Sequence, residues 1–386
     1  MIFGKSLEEL EKIKAIFTAT EIRQQPELWR ETYKLILDQK ESIQGFINKN
    51  VDKNTRIVLT GAGTSDYVGD TVALELNKKL EAKVEAIATT DIVSNPNEHI
   101  EKNVKTILVS YARSGNSPES IGAYDLFENN VDDITQIVIT CNKDGDLAKR
   151  CVNNEKNMLV LMPEKSNDKS FAMTSSFSCM TLATLLIFDI ENIENNKEFV
   201  EIVSAQAEEI LDNRWSEIKQ LVDYEAERVV YLGSGTLKGL CQEMALKNLE
   251  LTSGQVTTVC ESVLGFRHGP KSIINDKTLV IIMATNEEYT KLYDIDLIKE
   301  IHNDLGNHKL TVITYENDEI MKENCTNYIC IDGKAIPNIY KVFNYMIFGQ
   351  MFGYLNSLKL NISPDNPRPD GTVNRVVKGV VIHQYK

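Results

Sequence analysis

Arg56-Ile-Val-Leu-Thr-Gly61-Ala-Gly-Thr64 decides the fold, because the chain writes it twice. Val229-Val-Tyr-Leu-Gly233-Ser-Gly-Thr236 repeats it at an offset of 172 residues, with Gly61 falling on Gly233. Each copy is a short apolar run closed by Gly-x-Gly-Thr, which reads as a buried parallel strand turning into a helix. Working outward, Thr106-Ile-Leu-Val matches Thr278-Leu-Val-Ile at the same offset. Gln136-Ile-Val-Ile139-Thr matches Leu310-Thr-Val-Ile313-Thr at 174, and Asn157-Met-Leu-Val-Leu matches Asn327-Tyr-Ile-Cys-Ile at 170. Four strands recurring in one order mark a duplication. Helical segments separate the strands, and that alternation builds a parallel sheet covered by helices. The expected fold class is α/β, with two similar three-layer αβα domains, each a mainly parallel sheet flanked by helices. Residues 1–50 are expected to form an N-terminal helical segment and 51–204 the first domain. Residues 205–360 form the second, and 361–386 a Pro-rich tail that closes on the site.

Composition narrows the function. The 386 residues carry a formal net charge of −14, with 42% hydrophobic and 25% charged residues. No basic excess exists to neutralise nucleic-acid phosphates or an anionic membrane, so neither partner is expected. Seven cysteines lie scattered without Cys-x-x-Cys spacing, which reads as free thiols in a reducing compartment. The five histidines show no metal-ligand spacing, so no metal is expected. Ser6-Leu-Glu-Glu-Leu-Glu-Lys12 is charged where a signal peptide is apolar, and a cytoplasmic location is expected. Ser170 to Phe188 lacks charge, but its many hydroxyls favour a helix buried in a core or subunit interface over a membrane span.

The chemistry begins at Ser110-Tyr-Ala-Arg-Ser-Gly-Asn-Ser-Pro-Glu-Ser120. An apolar strand turns through Ser114-Gly115-Asn116 into a helix, with Ser117 where an N-cap belongs and Pro118 at the first helical position. Strand, small polar loop and helix N-terminus together suit a phosphate, since backbone N–H groups and the helix dipole face the anion. Arg113 adds a cation. The second copy reads Ile282-Met-Ala-Thr-Asn-Glu-Glu-Tyr289 here, and Glu287 and Glu288 repel anions. The anion site is therefore expected in the first domain alone. Gly61-Ala-Gly-Thr-Ser-Asp66 is not a dinucleotide fingerprint, because Asp66 stands where the third glycine belongs, and no Gly-Lys-Ser/Thr closes a Walker loop. No cofactor is expected.

Gly63-Thr-Ser, Arg113-Ser-Gly-Asn-Ser, Glu243-Met-Ala-Leu-Lys-Asn-Leu-Glu250 and Gly265-Phe-Arg-His-Gly-Pro270 occur in the order of sugar isomerase (SIS) domain proteins. The chain resembles the isomerase half of glucosamine-6-phosphate synthase. It is more similar still to the tagatose-6-phosphate aldose/ketose isomerase group, which includes galactosamine-6-phosphate deaminases. The resemblance implies that Arg113, Ser114, Gly115, Asn116 and Ser117 hold the sugar phosphate. It implies that Gly63, Thr64 and Ser65 form a loop beside the sugar, and that Ser170 opens a third substrate loop. Glu250 matches the base that moves a proton between C1 and C2. His268 matches the ring-opening histidine, contributed by a neighbouring subunit, and Lys378 a tail lysine folding over the site. Glu261 is assigned no role.

The implied activity is sugar-phosphate aldose/ketose isomerisation or aminosugar-6-phosphate deamination in carbohydrate catabolism, by a homodimer or larger homo-oligomer with a shared active site. A carboxylate can carry the proton, a histidine can open the ring at neutral pH, and a lysine can stabilise the oxyanion. No cysteine precedes Cys141 to serve a glutaminase, so the synthetic direction is not expected. The alternative is a non-catalytic sugar-phosphate-binding regulator, against which Glu250, His268 and Lys378 together argue.

Overall fold

The computed structural model describes residues 1–331, 336–377 and 379–385. Two five-stranded sheets, each with every strand pair parallel, organise the chain. The first holds β1 (Arg56–Thr60), β2 (Lys83–Ala86), β3 (Thr106–Ala112), β4 (Ile134–Thr140) and β5 (Met158–Leu161) in the order β2-β1-β3-β4-β5. The second holds β6 (Arg228–Gly233), β7 (Thr257–Glu261), β8 (Thr278–Met283), β9 (Lys309–Thr314) and β10 (Asn327–Cys330) in the order β10-β9-β8-β6-β7. Read from the other edge this is the same order. The registers agree as well: Arg56 pairs with Thr106, and Arg228 with Thr278. The duplication in the sequence is thus a duplication of sheet topology down to the residue pair.

Contacts divide the chain into two compact units. The first comprises Glu27–Lys169, Met173–Glu198 and Asp370–Lys386, and contains the sheet of β1 to β5. Val58, Leu108, Ala123 and Phe127 form part of its core. Every residue of the helix Ser175–Phe188 is buried, which explains a run without charge that is nevertheless rich in Ser and Thr. Thr181 and Thr184 donate their hydroxyls back to the carbonyls of Phe177 and Met180, one turn earlier, and so need no water. No single helix among the described residues is long and apolar enough to cross a membrane.

The second unit comprises Met1–Pro26, Ser170–Ala172 and Phe199–Pro369, and contains the sheet of β6 to β10. Val230, Val280, Ile282, Leu297 and Val312 lie in its core. The helix Asn338–Lys359 is buried from residue 339 to 357 and packs along the helix Thr236–Leu251. A Cβ on Gly349 would sit 2.4 Å from Met244 Cγ, so a side chain here would have to displace that of Met244.

Both sheets reverse their strand order beside the first strand of the repeat, between β1 and β3 and between β6 and β8. In open α/β sheets a crevice forms at the carboxyl ends of such a strand pair, and ligands bind there. The two quoted sequence motifs lie at that crevice in the first unit.

Candidate active site

The floor of the first crevice is the loop after β3. All seven residues of β3 are buried, and Arg113 follows them with only 6% of its surface exposed. Gly115 takes φ +68°, a conformation costly for a side-chain-bearing residue. Ser117 then occupies the N-cap of the helix Pro118–Asn130, as its sequence position implies. Its side chain does not cap the helix: Ser117 Oγ lies 3.0 Å from Ser120 Oγ instead. The N-terminal amides of this helix are therefore left without a side-chain cap, which is what an anion needs.

Residues beyond the loop hold it in place. Asn142 Nδ2 donates to Ser114 O at 2.7 Å, and Leu147 N donates to Gly115 O at 3.1 Å. Asn116 Oδ1 accepts from Asp146 N at 3.0 Å, so this side chain braces the loop against the next turn. A Cβ on Gly145 would sit 2.6 Å from Ser114 O. Asn142 and Gly145 thus brace this loop, a part that sequence reasoning passed over. Their signal was the turn Thr140-Cys-Asn-Lys-Asp-Gly145 at the carboxyl end of β4.

The opposite wall is the turn after β1. Gly63, at φ +57°, opens the helix Thr64–Lys79, and Thr64 and Ser65 are buried. Ser65 Oγ donates to Met173 Sδ at 3.8 Å. Between these walls lies a cavity of about 100 Å³ lined by Ser65, Arg113, Ser114 and Ser117, with Arg375 and Val377 from the tail. Four of the expected substrate residues therefore meet around one small cavity. Gly63, Thr64, Gly115 and Asn116 shape the two turns that bound it. Asp66, in the first turn of the helix after Gly63, is pushed up to about 7 by burial, with Asp70 and Asp91 adding repulsion. A larger hollow of about 720 Å³ lies in the second unit, but Phe3, Trp215, Leu355 and Leu358 give it apolar walls. Two of its lysines, Lys219 and Lys359, are paired with Asp223, and it brings together none of the expected catalytic groups.

The acid–base candidates are in the second unit. On the helix Thr236–Leu251, Glu243, Lys247 and Glu250 follow one another at spacings of four and three, so they share a face. Lys247 Nζ lies 2.5 Å from Glu250 Oε2 and 3.7 Å from Glu243 Oε1. The side chains of Lys247 and Glu243 are each 1% exposed, whereas that of Glu250 is 25% exposed. A buried ammonium thus anchors a carboxylate that still reaches the surface. Glu243 and Lys247 were legible at this spacing but were not assigned a role from the sequence.

His268 sits in an exposed loop after the short helix Val263–Phe266, with its N–H donating to Gly265 O at 3.0 Å. The loop is clamped on both sides. Arg267 Nε donates to Glu300 Oε2 at 2.7 Å, and Lys271 Nζ to Glu300 Oε1 at 2.6 Å. Glu261 pairs with Lys238 at 2.7 Å, and that hydrogen bond holds it below the usual carboxylate range. Ser170 is fully buried, and its hydroxyl and amide both donate to the Glu21 carboxylate. Lys378 lies outside the described residues.

A model of the SIS domain matches residues 51–189 and again 224–353. The chain belongs to the SIS domain family. D-galactosamine-6-phosphate deaminase AgaS of Shewanella sp. (strain ANA-3) is 42% identical over 384 residues, covering 98% of this chain and 95% of that protein. A solved structure from Clostridium novyi NT, provisionally assigned as a tagatose-6-phosphate ketose/aldose isomerase, superposes with a TM-score of 0.97 at 46% identity. It covers 100% of this chain, which in turn spans 99% of it. The tagatose-6-phosphate ketose/aldose isomerase of Escherichia coli superposes at 0.89 with 34% identity, over 96% of this chain and 97% of its own.

The two SIS domains treat the same crevice oppositely. In the second, Glu287 caps the helix Glu288–Asn303 with its own carboxylate, accepting from Tyr289 N and Thr290 N. Asp294, fully buried, accepts from Thr285 N at 2.9 Å and Ser234 Oγ at 3.1 Å. At the repeat offset, Ser234 and Thr285 fall on Ala62 and Arg113, which line the cavity of the first SIS domain. The second SIS domain thus places a carboxylate of its own at these positions, and burial pushes that carboxyl up to about 6.

Proposed function

We propose that this chain is an aminosugar-6-phosphate deaminase that works through the proton transfer of an aldose/ketose isomerase. Galactosamine 6-phosphate and water would give tagatose 6-phosphate and ammonia. The observation that carries the reading is 42% and 34% identity, over nearly the whole chain, to proteins named for these two activities; the cavity at Arg113 and the paired Lys247 and Glu250 are consistent with it.

The cavity of the first SIS domain takes the 6-phosphate. Arg113 supplies charge, Ser65, Ser114 and Ser117 supply hydroxyls, and the uncapped helix supplies amide donors. His268 opens the ring, since an imidazole both accepts and donates near neutral pH. Glu250 takes the C2 proton of the open aldehyde and returns it to C1 through an enolamine. The resulting C2 iminium adds water and loses ammonia, which leaves the ketose. Lys247 holds the Glu250 carboxylate in one orientation throughout. Lys378 is the candidate cation for the C1 oxyanion. The exposed His268 loop suits delivery to a neighbouring subunit, so a cytoplasmic homodimer or larger homo-oligomer with shared sites belongs to the proposal.

The assay incubates the purified chain with galactosamine 6-phosphate and measures ammonia and ketose. Equal amounts of both are expected. Binding without either product would refute the deaminase reading.

A further inference from the structure

We propose that Arg375, on the C-terminal tail, is a specificity-determining residue of the phosphate crevice, because one chain of contacts ties the Arg113 side chain to the Arg375 backbone and the Arg375 side chain to the Asp168 backbone. The inference rests on the reading of that crevice as the sugar-phosphate site. Arg113 Nη2 donates to Arg375 O at 2.7 Å. Arg375 Nη2 donates to Asp168 O. Arg375 and Arg113 both line the 100 Å³ cavity, and Glu119 lines it as well. The lining thus includes two arginine residues and one glutamate, in a chain of net charge −14.

The anchor for Arg375 is rigid. Asp168 is fully buried, and its carboxylate accepts from Thr174 N at 2.9 Å, Ser175 N at 3.1 Å and Ser176 N at 2.9 Å. Ser176 Oγ adds a fourth donor at 2.6 Å. The Asp168 carboxylate therefore caps the helix Ser175–Phe188, and Arg375 meets this residue through its neutral carbonyl. Further along, the tail stays on the same unit. A Cβ on Gly122 would lie 3.4 Å from Ile382, and Tyr385 donates to Asn97. Contacts at Arg375 and at Tyr385 thus tie the tail to this unit, and Val376 and Val377 line the cavity beside Arg375.

A phosphate in the cavity sits beside the guanidinium of Arg113, which also holds the tail, and beside Arg375, which the tail carries. Phosphate binding and tail docking therefore stabilise each other, by the reciprocity of linked equilibria. A sugar without its phosphate forgoes both contacts, so discrimination between phosphorylated and free sugar is shared by loop and tail.

The test uses the full chain with inorganic phosphate as the probe, measured by titration calorimetry. Arg375→Gln is expected to weaken phosphate binding about tenfold or more, the effect of losing one charge-assisted contact. Arg375→Lys, which keeps the charge without the planar fork, is expected to fall between wild type and Arg375→Gln. In wild type, phosphate is expected to slow removal of the tail by proteinase K, and Arg113→Ala to abolish that protection. Wild-type phosphate affinity in Arg375→Gln, or tail cleavage indifferent to phosphate, overturns the proposal. Those outcomes leave the deaminase assay untouched. Conversely, a chain that shows tail-dependent phosphate binding but releases no ammonia refutes the proposed activity and keeps this inference.

Discussion

Replacing Lys247 by Met removes a positive charge and keeps the length of the side chain, which isolates what the ammonium does. In the native protein it lies 3.7 Å from the buried Glu243 carboxylate and 2.5 Å from that of Glu250. At an effective dielectric of about 20, a pair 3.7 Å apart attracts by roughly 4–5 kcal/mol, and breaking a buried pair from one side typically costs about 3–5 kcal/mol. Glu250 is a quarter exposed, so the loss of its contact adds at most about 1 kcal/mol. A destabilisation near 4 kcal/mol lowers Tm by roughly 8–16 °C in a unit of this size. Differential scanning calorimetry reads that shift directly. The double variant Glu243→Gln with Lys247→Met removes both buried charges and is expected to recover about half of the loss or more. Turnover is expected to stay low in the double variant, because Glu250 remains without its anchor. Affinity for inorganic phosphate, read in the other unit, is expected to stay within about twofold of wild type. A single Lys247→Met variant melting within about 2 °C of wild type, or a double variant no more stable than the single, refutes the view that a buried cation holds this helix face together.

Three further outcomes follow from particular groups. Burial raises Asp66 to about 7, so the folded chain holds a proton there that the unfolded chain releases near pH 4. That contribution to stability is complete below about pH 4 and is lost as pH rises to about 7; the stability difference between Asp66→Asn and wild type should grow across that window and level above it, and a difference flat in pH contradicts the assignment. Titration with inorganic phosphate should give one site per chain, because Asp294 and Glu287 occupy the second crevice; two equivalent sites would show that crevice to be open. Inactive Glu250→Gln and inactive His268→Ala chains, mixed under conditions that exchange subunits, should regain part of the activity, since one hybrid site would hold both groups. A verified hybrid without activity places both groups of a site on one chain.

Much of the fold was legible because it is local and periodic. Apolar runs at Arg56–Thr60 and Thr106–Ala112 read as buried strands, and their recurrence at one offset gave two sheets whose pairing registers also recur. The crevice residues Ser65, Arg113, Ser114 and Ser117 were legible for the same reason, as each sits one turn beyond a strand. What escaped depends on contacts across the chain. Ser117 reads as a capping serine, yet its hydroxyl turns to Ser120. Nothing near Ser170 reveals that Glu21 lies against it from 149 residues away. The bracing by Asn142 crosses 28 residues, and the Asp294 contact to Ser234 crosses 60. Lys247 was a different kind of omission, because the spacing of Glu243, Lys247 and Glu250 already placed all three on one helix face.

The contrast between the copies shows what separates a binding site from its scaffold. Gly63 and Gly235 adopt nearly the same backbone, φ +57° with ψ −126° and φ +61° with ψ −127°. The strands, the crossing order and the turn are therefore common property, and none of them selects a ligand. Selection lies in what closes the helix after the third strand of each repeat. Glu287 brings a carboxylate to those amides, whereas Ser117 withholds its hydroxyl from them. An internal carboxylate competes intramolecularly, so an external anion must overcome its effective concentration to take its place. One side chain at the N-cap and one aspartate from the following helix thus supply the second crevice with carboxylates of the chain's own, while the chain around them keeps its topology.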